Sequence, residues 1–365
     1  MNFDCRQYVP CLRWKQGEYQ AALQLSDAAK SVITPLIEVA ERGFDFETGV
    51  SKKNLDQHLA LFVKRVESKW GRQPCFVDLN WIKPAERMVD GRHPVRFVFD
   101  ELRSQGCKAV PVTGLARDPA YQQAVAQVHS KDKRGLCLRV DIAEAAKLSL
   151  KSAIDGLLDK IATPSECDLI LDLGAPNFVP IEGFAKAIEA LIRRLPYMSN
   201  WQTFTLLGTS FPSSMAEIKT SPVSIARNEW SLYKIVARSL AKAKFRVPSF
   251  GDYCINYPNI LPMDMRLLKP SATIRYATDD AWFIVKGPNV RDNQFGQYRN
   301  HCRTVMTSGH YFGADFSAAD KYISDCSKGA GSTGNLTTWR WVGTNHHLEV
   351  VALAISNFYA TSSTR

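Results

Sequence analysis

Residues 167–195 read CDLILDLGAPNFVPIEGFAKAIEALIRRL. A short β-rich run, 167–174, is followed after a proline-containing turn by residues 183–195, whose apolar positions recur at helical spacing. The same unit repeats along the chain. Upstream, β runs occupy residues 8–15, 33–39, 74–80, 108–115 and 135–142; downstream they occupy 201–210 and 247–258. A helical segment separates each from the next, the last of them spanning 215–240. Strict β-α alternation forces parallel strands with helices outside, and eight strands in this length predict a closed (β/α)8 TIM-type barrel, an α/β fold. A doubly wound open sheet usually has fewer strands and often a glycine-rich first turn, and neither G-x-G-x-x-G nor a P-loop is present.

Working outward, the barrel is expected over residues 1–262 and an α+β C-terminal extension, packed on it, over 263–365. The extension reads as two strands around Thr278-Asp279-Asp280, two helices, a glycine-rich loop over 329–335 and a closing helix from His346 onward. Apolar residues make up 45% and charged residues 22% of the 365, which excludes a disordered chain. No run is long and apolar enough for a membrane helix, so no membrane association is expected. The first residues lack a basic stretch followed by an apolar core, so a cytoplasmic protein is expected. The nine cysteines sit mostly in strand-like runs, without C-x-x-C or zinc-finger spacing, and read as reduced and buried. A net charge of +10 favours nucleic acid or phosphorylated ligands as partners, although an excess of surface lysine would produce the same total.

In such barrels the active site lies at the C-terminal ends of the strands, and side chains alternate between interior and helix layer. Alternation sets Arg13 and Lys15 against Leu12 and Trp14, groups Thr34, Leu36 and Glu38, and pairs Phe76 with Asp78. It also sets Arg139 and Asp141 against Leu138 and Val140, and groups Asp168, Ile170 and Asp172; the last strand offers Asp252 and Asn256. Burying a charge in the helix layer is costly unless it is paired, so these charges are expected to converge on the barrel mouth. Lys15, Glu38, Asp78, Asp141 and Asp172 are then the catalytic candidates. Glu38, Asp78 and Asp172 would serve as oxygen ligands for Mg²⁺ or Mn²⁺, and Arg13 and Arg139 would hold a phosphate. A bland alternative has Arg13, Arg139, Asp141 and Asp172 neutralising one another as an ion-paired layer.

Residues 337–347, TTWRWVGTNHH, belong to the extension. If the extension covers the mouth, Arg340 would clamp an anion and His346 would act as base or ligand; otherwise His346 caps the closing helix after Thr344-Asn345. Trp339 and Trp341 are expected to pack on the barrel.

The segments YVPCLRWKQGEY, ITPLIEV, CFVDL, AVPVTGL and WRWVGTNHH together resemble the beta family, named for the beta protein of phage T4, nearly end to end. The resemblance implies a bacterial or phage-borne accessory protein in phage-host conflict, and it carries no catalytic residues over. Two functions fit the residues: a metal-assisted hydrolase or phosphodiesterase acting on nucleotide or nucleic acid, and a non-catalytic barrel that recognises a phage component, a partner protein or nucleic acid.

Overall fold

Each of the eight β runs contributes one strand to a closed parallel barrel in the computed structural model, which describes residues 1, 3–45, 50–51, 53–259 and 268–362. The strands are β1 (Tyr8–Leu12), β2 (Leu36–Glu38), β3 (Cys75–Asp78), β4 (Ala109–Thr113), β5 (Leu136–Asp141), β6 (Cys167–Asp172), β7 (Phe204–Leu207) and β9 (Ser249–Asp252). They pair in chain order, and β1 closes the ring by pairing with β9 through Tyr8 and Phe250 and with β2 through Cys11 and Leu36. Period-2 alternation then divides the side chains. Val9, Cys11, Leu36, Phe76, Val112, Cys137 and Ile170 fill the interior, while Leu12, Ile37, Val77, Leu138, Leu169 and Phe250 face the helices.

The long helices that follow the strands are α1 (Gln16–Leu23), α2 (Leu55–Lys69), α3 (Pro94–Ser104), α4 (Pro119–Asp132), α5 (Leu150–Leu158), α6 (Ile181–Arg194) and α7 (Asn228–Lys242). Their starts are locally encoded. The Asn54 side chain accepts from the Gln57 backbone at 2.8 Å to open α2, and Asp118 followed by Pro119 opens α4. Each then buries one apolar stripe, as α6 does with Ala185, Ile188 and Ile192, at about 1.5–3 kcal/mol for each large side chain removed from water.

The expected helix over 215–240 is corrected in its first half. After Pro222, which cannot sit inside a helix, Val223–Ala226 forms strand β8, and α7 begins only at Asn228. Strand β8 leaves the barrel and pairs antiparallel, Ile225 opposite Trp282, with β11 (Ala281–Asn289), itself paired with β10 (Ser271–Ala277) around the expected turn. The extension adds α8 (Tyr298–Thr307), α9 (Ala318–Lys328) and α10 (Leu336–Ser362). The expected boundary at residues 262 and 263 lies outside the described residues.

Helix α10 serves two cores. Trp339 and Val342 pack in the extension, whereas Leu348, Val351, Ile355 and Phe358 join the core between barrel and helices beside α1. The end of the chain thus fills the place of the eighth barrel helix, and no described helix is long and apolar enough to cross a membrane. All nine cysteines are free, and all but Cys5 are buried.

Candidate functional site

The charges at the C-terminal ends of β2, β3, β5 and β6 converge on one guanidinium. Arg139 donates to Glu38 Oε1 at 2.7 Å, to Asp78 Oδ2 at 3.0 Å and, through Nε, to Asp172 Oδ2 at 2.9 Å. Its remaining terminal nitrogen donates to the Tyr253 hydroxyl at 2.8 Å, which donates in turn to Asp172 at 2.6 Å. Arg117, in the loop after β4, donates to both Asp78 oxygens at 2.8 and 3.1 Å. Arg13 lies 3.8 Å from Glu38 and 4.8 Å above the Trp81 ring, and Trp81 Nε1 donates to Glu38 at 3.1 Å.

Three guanidiniums therefore face three carboxylates. Burial would raise the Glu38 carboxyl, but Arg139, Trp81 and Arg13 outweigh it and hold Glu38 below the ordinary carboxylate value. Burial and then the Asp172 charge push the Tyr253 hydroxyl well up, so it stays protonated and acts as a donor. The cluster floors a cavity of about 570 Å³, a size suited to a small-molecule ligand, whose lining includes Trp81, Arg117, Arg139, Asp141, Asp172 and Tyr253.

The other candidates stand apart. Asp141 is exposed on the rim, where it lines the cavity and caps the short helix Ile142–Ala146 by accepting from the Glu144 backbone at 2.7 Å. Lys15, with 53% of its side chain exposed, pairs with Glu41 at 3.5 Å. Arg340 donates to the Ile255 carbonyl at 3.2 Å and Asn256 Oδ1 at 3.0 Å, gripping the segment after β9 from behind instead of entering the mouth. His346 is not a helix cap, because α10 starts ten residues earlier at Leu336. It is buried in the extension, with one ring nitrogen 2.8 Å from Asp320 Oδ2 and the other 2.8 Å from the Ala277 carbonyl.

Asp252 is the main departure from the sequence reading. Along β9, Gly251 and Tyr253 point into the barrel and Asp252 points out, into the helix layer. There it accepts from Tyr8 at 2.5 Å and from His347 Nε2 at 2.8 Å, with Arg227 at 3.8 Å, and all four are fully buried. The cost of a charge in that layer is met by pairing. Among the described residues, the group whose ligand atoms approach closely enough to hold a metal ion is Asp252, Cys254 and His347, all within 4.8 Å of one another. Glu38, Asp78 and Asp172 do not form such a group. Trp282 Nε1 donates to His347 Nδ1 at 3.4 Å, so Nε2 carries the ring proton that Asp252 accepts. Burial lowers the His347 value, with the nearby Asp252 opposing it, which accords with a neutral ring.

Sequence reasoning missed Tyr253, Arg117 and Trp81. Strict alternation continued through β9 would have found Tyr253. The other two follow strand ends in the loops that form the mouth of such a barrel.

A family model described as Beta protein matches residues 8–352. No curated protein matches the chain. Among solved structures it is similar to a triosephosphate isomerase from Bartonella henselae, at 12% identity over 68% of this chain and 92% of that one, with a TM-score of 0.37. The pairing of the eight strands, not that likeness, establishes the barrel.

Proposed function

We propose, from the premise that this chain belongs to the Beta protein family, that the barrel mouth takes a phosphorylated ligand together with a divalent cation and hydrolyses a phosphoester there. The ligand class is a nucleotide or a nucleic-acid end. The observation that carries this reading is the balance of three guanidiniums against three carboxylates in the cluster beneath the cavity, of which Glu38, Arg117, Arg139 and Asp172 line it. A phosphate alone would add negative charge to a neutral cluster, and a Mg²⁺ or Mn²⁺ ion alone would add positive charge. Arriving together they leave the balance intact: Arg117 and Arg139 would turn to phosphoryl oxygens, and Glu38, Asp78 and Asp172, too far apart to hold an ion as they stand, would close in on it once released. The bound ion would polarise the phosphoryl group. Arg139 and Arg117 spread the charge that develops as the bond breaks, and Tyr253 donates a hydrogen bond to it. Asp141 lines the cavity and, among the described residues, is not paired with a guanidinium; it would serve as the base that takes a proton from water.

A second reading is a non-catalytic recognition barrel with a protein partner. Its support is a set of apolar tips, Val89, Leu148 and Val179, exposed on the loops after β3, β5 and β6 around the mouth. Both readings place the chain in the cytoplasm and in the phage-host conflict that the family resemblance implies.

Calorimetric titration with Mn²⁺ alone, a nucleoside monophosphate alone and both together tests the first reading, followed by a phosphodiester hydrolysis assay. Each ligand should tighten binding of the other, and Mn²⁺-dependent turnover should vanish in Asp78→Asn. Nucleotide binding that ignores the metal and yields no product would transfer the conclusion to recognition; no binding of either ligand would remove nucleotides from both readings.

A further inference from the structure

Where α10, β10 and the segment after β9 meet, two arginines stand close together at a seam separate from the mouth. Arg340 is served: it donates to Asn256, and Asn256 donates to Glu18 Oε1 at 2.6 Å, tying the buried Glu18 carboxylate into the same chain of contacts. The other Glu18 oxygen accepts from the Lys15 backbone at 3.1 Å. Arg275, projecting from β10, has no such counterpart. Among the described residues its guanidinium makes no hydrogen bond or ion pair, and its Nε is buried without a partner.

The packing holds the two charges together. Residue 17 has no side chain, and a Cβ there would meet Arg340 Cγ at 2.5 Å, so the Arg340 stem lies directly against α1. A Cβ at Gly343 would stand 2.9 Å from Ile255 Cδ1 and 3.1 Å from the Arg275 carbonyl, so α10 sits flush on β10. Burial and then the Arg340 charge push Arg275 down to about 9, with Tyr298 opposing them. Arg275 is half-buried as a residue: its Nε is buried without a partner, and its outer nitrogens remain within reach of an anion from solution.

We propose that this seam is a binding site for a phosphate group, with Arg275 supplying the primary contact and Arg340 the supporting field. Of the two planar guanidiniums only Arg340 is linked to a carboxylate, Glu18 through Asn256, which leaves a surplus of one positive charge, and their fork geometry matches phosphate oxygens. The site is independent of the reading given to the mouth. Because Arg340 also grips Ile255 and Asn256, which follow Tyr253, its occupant would brace the segment that carries Tyr253 into the cavity.

The test is the thermal midpoint of the full chain against inorganic phosphate at constant ionic strength, with acetate as the carboxylate control. Wild type, Arg275→Gln, Arg275→Met and the mouth variant Arg117→Gln are compared. Phosphate should raise the midpoint of wild type and Arg117→Gln, acetate should do so less, and both Arg275 variants should lose the rise. In phosphate-free buffer the Arg275 variants should melt at or near the wild-type temperature, since the guanidinium they remove makes no hydrogen bond or ion pair among the described residues. A phosphate response that survives in them, or one abolished by Arg117→Gln, overturns the proposal. So does failure of both Arg275 variants to fold, because Arg275 would then be serving the structure.

Discussion

The chain holds two buried polar networks built from the ends of barrel strands, and they differ in what surrounds them. At the mouth, Arg139 gathers Glu38, Asp78 and Asp172 beneath an open cavity, and 13% of its side chain remains exposed. At the seam with the extension, Asp252 gathers Tyr8, His347 and Arg227, none with measurable exposure. Both obey the rule that buried charge must be paired. Only the first has room for a ligand to exchange partners. A cluster of ionisable groups is thus a site by virtue of the space it faces; the sealed network instead joins β9 and β1 to α10, holding the extension on the barrel.

The largest effect should come from breaking the sealed network. Asp252→Ala takes from Arg227 one of its two neighbouring carboxylates, leaving Glu229, and takes from His347 its acceptor, and should cost roughly 3–5 kcal/mol in denaturant unfolding. A loss below about 1 kcal/mol would contradict the bracing role. Arg139→Met should cost less, about 2–3 kcal/mol, because water in the cavity can solvate the stranded carboxylates. It carries a further mark that the sealed network cannot share: the freed carboxylates should make the variant's melting temperature rise with added Mn²⁺, and an unchanged melting curve would count against the mouth as a latent metal site.

The smallest effect separates the networks by pH. His347 is lowered from 6.5 in the fold, so its contribution is full above that value and fades as pH falls below it. Glu38 is lowered from 4.5, so its contribution persists until pH falls below that value. Wild type should lose stability in two stages on acidification, with His347→Gln flattening the upper stage and Glu38→Gln the lower. A single transition unmoved by either variant would show that these groups do not govern the acid response.

Much of this was legible in the residues. All eight barrel strands fall within the β runs, and Glu38, Asp78, Arg139 and Asp172 meet where alternation and strand direction put them. Those features follow from the period-2 geometry of a strand, which any contiguous segment reports about itself. The Beta family resemblance agrees with the matching family model. Val223–Ala226 was less legible because its pairing partner, β11, lies some sixty residues onward, and strand formation there depends on that partner.

By itself, then, the sequence determined the α/β barrel, the direction of its strands and the inward charges of its middle strands, since local periodicity encodes each of them. Tertiary structure alone decided that Arg139 is the hub, that Asp252 turns outward to meet His347, and that α10 completes the barrel's outer layer. Each of these depends on which surfaces distant segments present to one another. Helix α10 is apolar around much of its length because its two halves meet different cores, and no one-dimensional pattern distinguishes that from a helix buried in a single core.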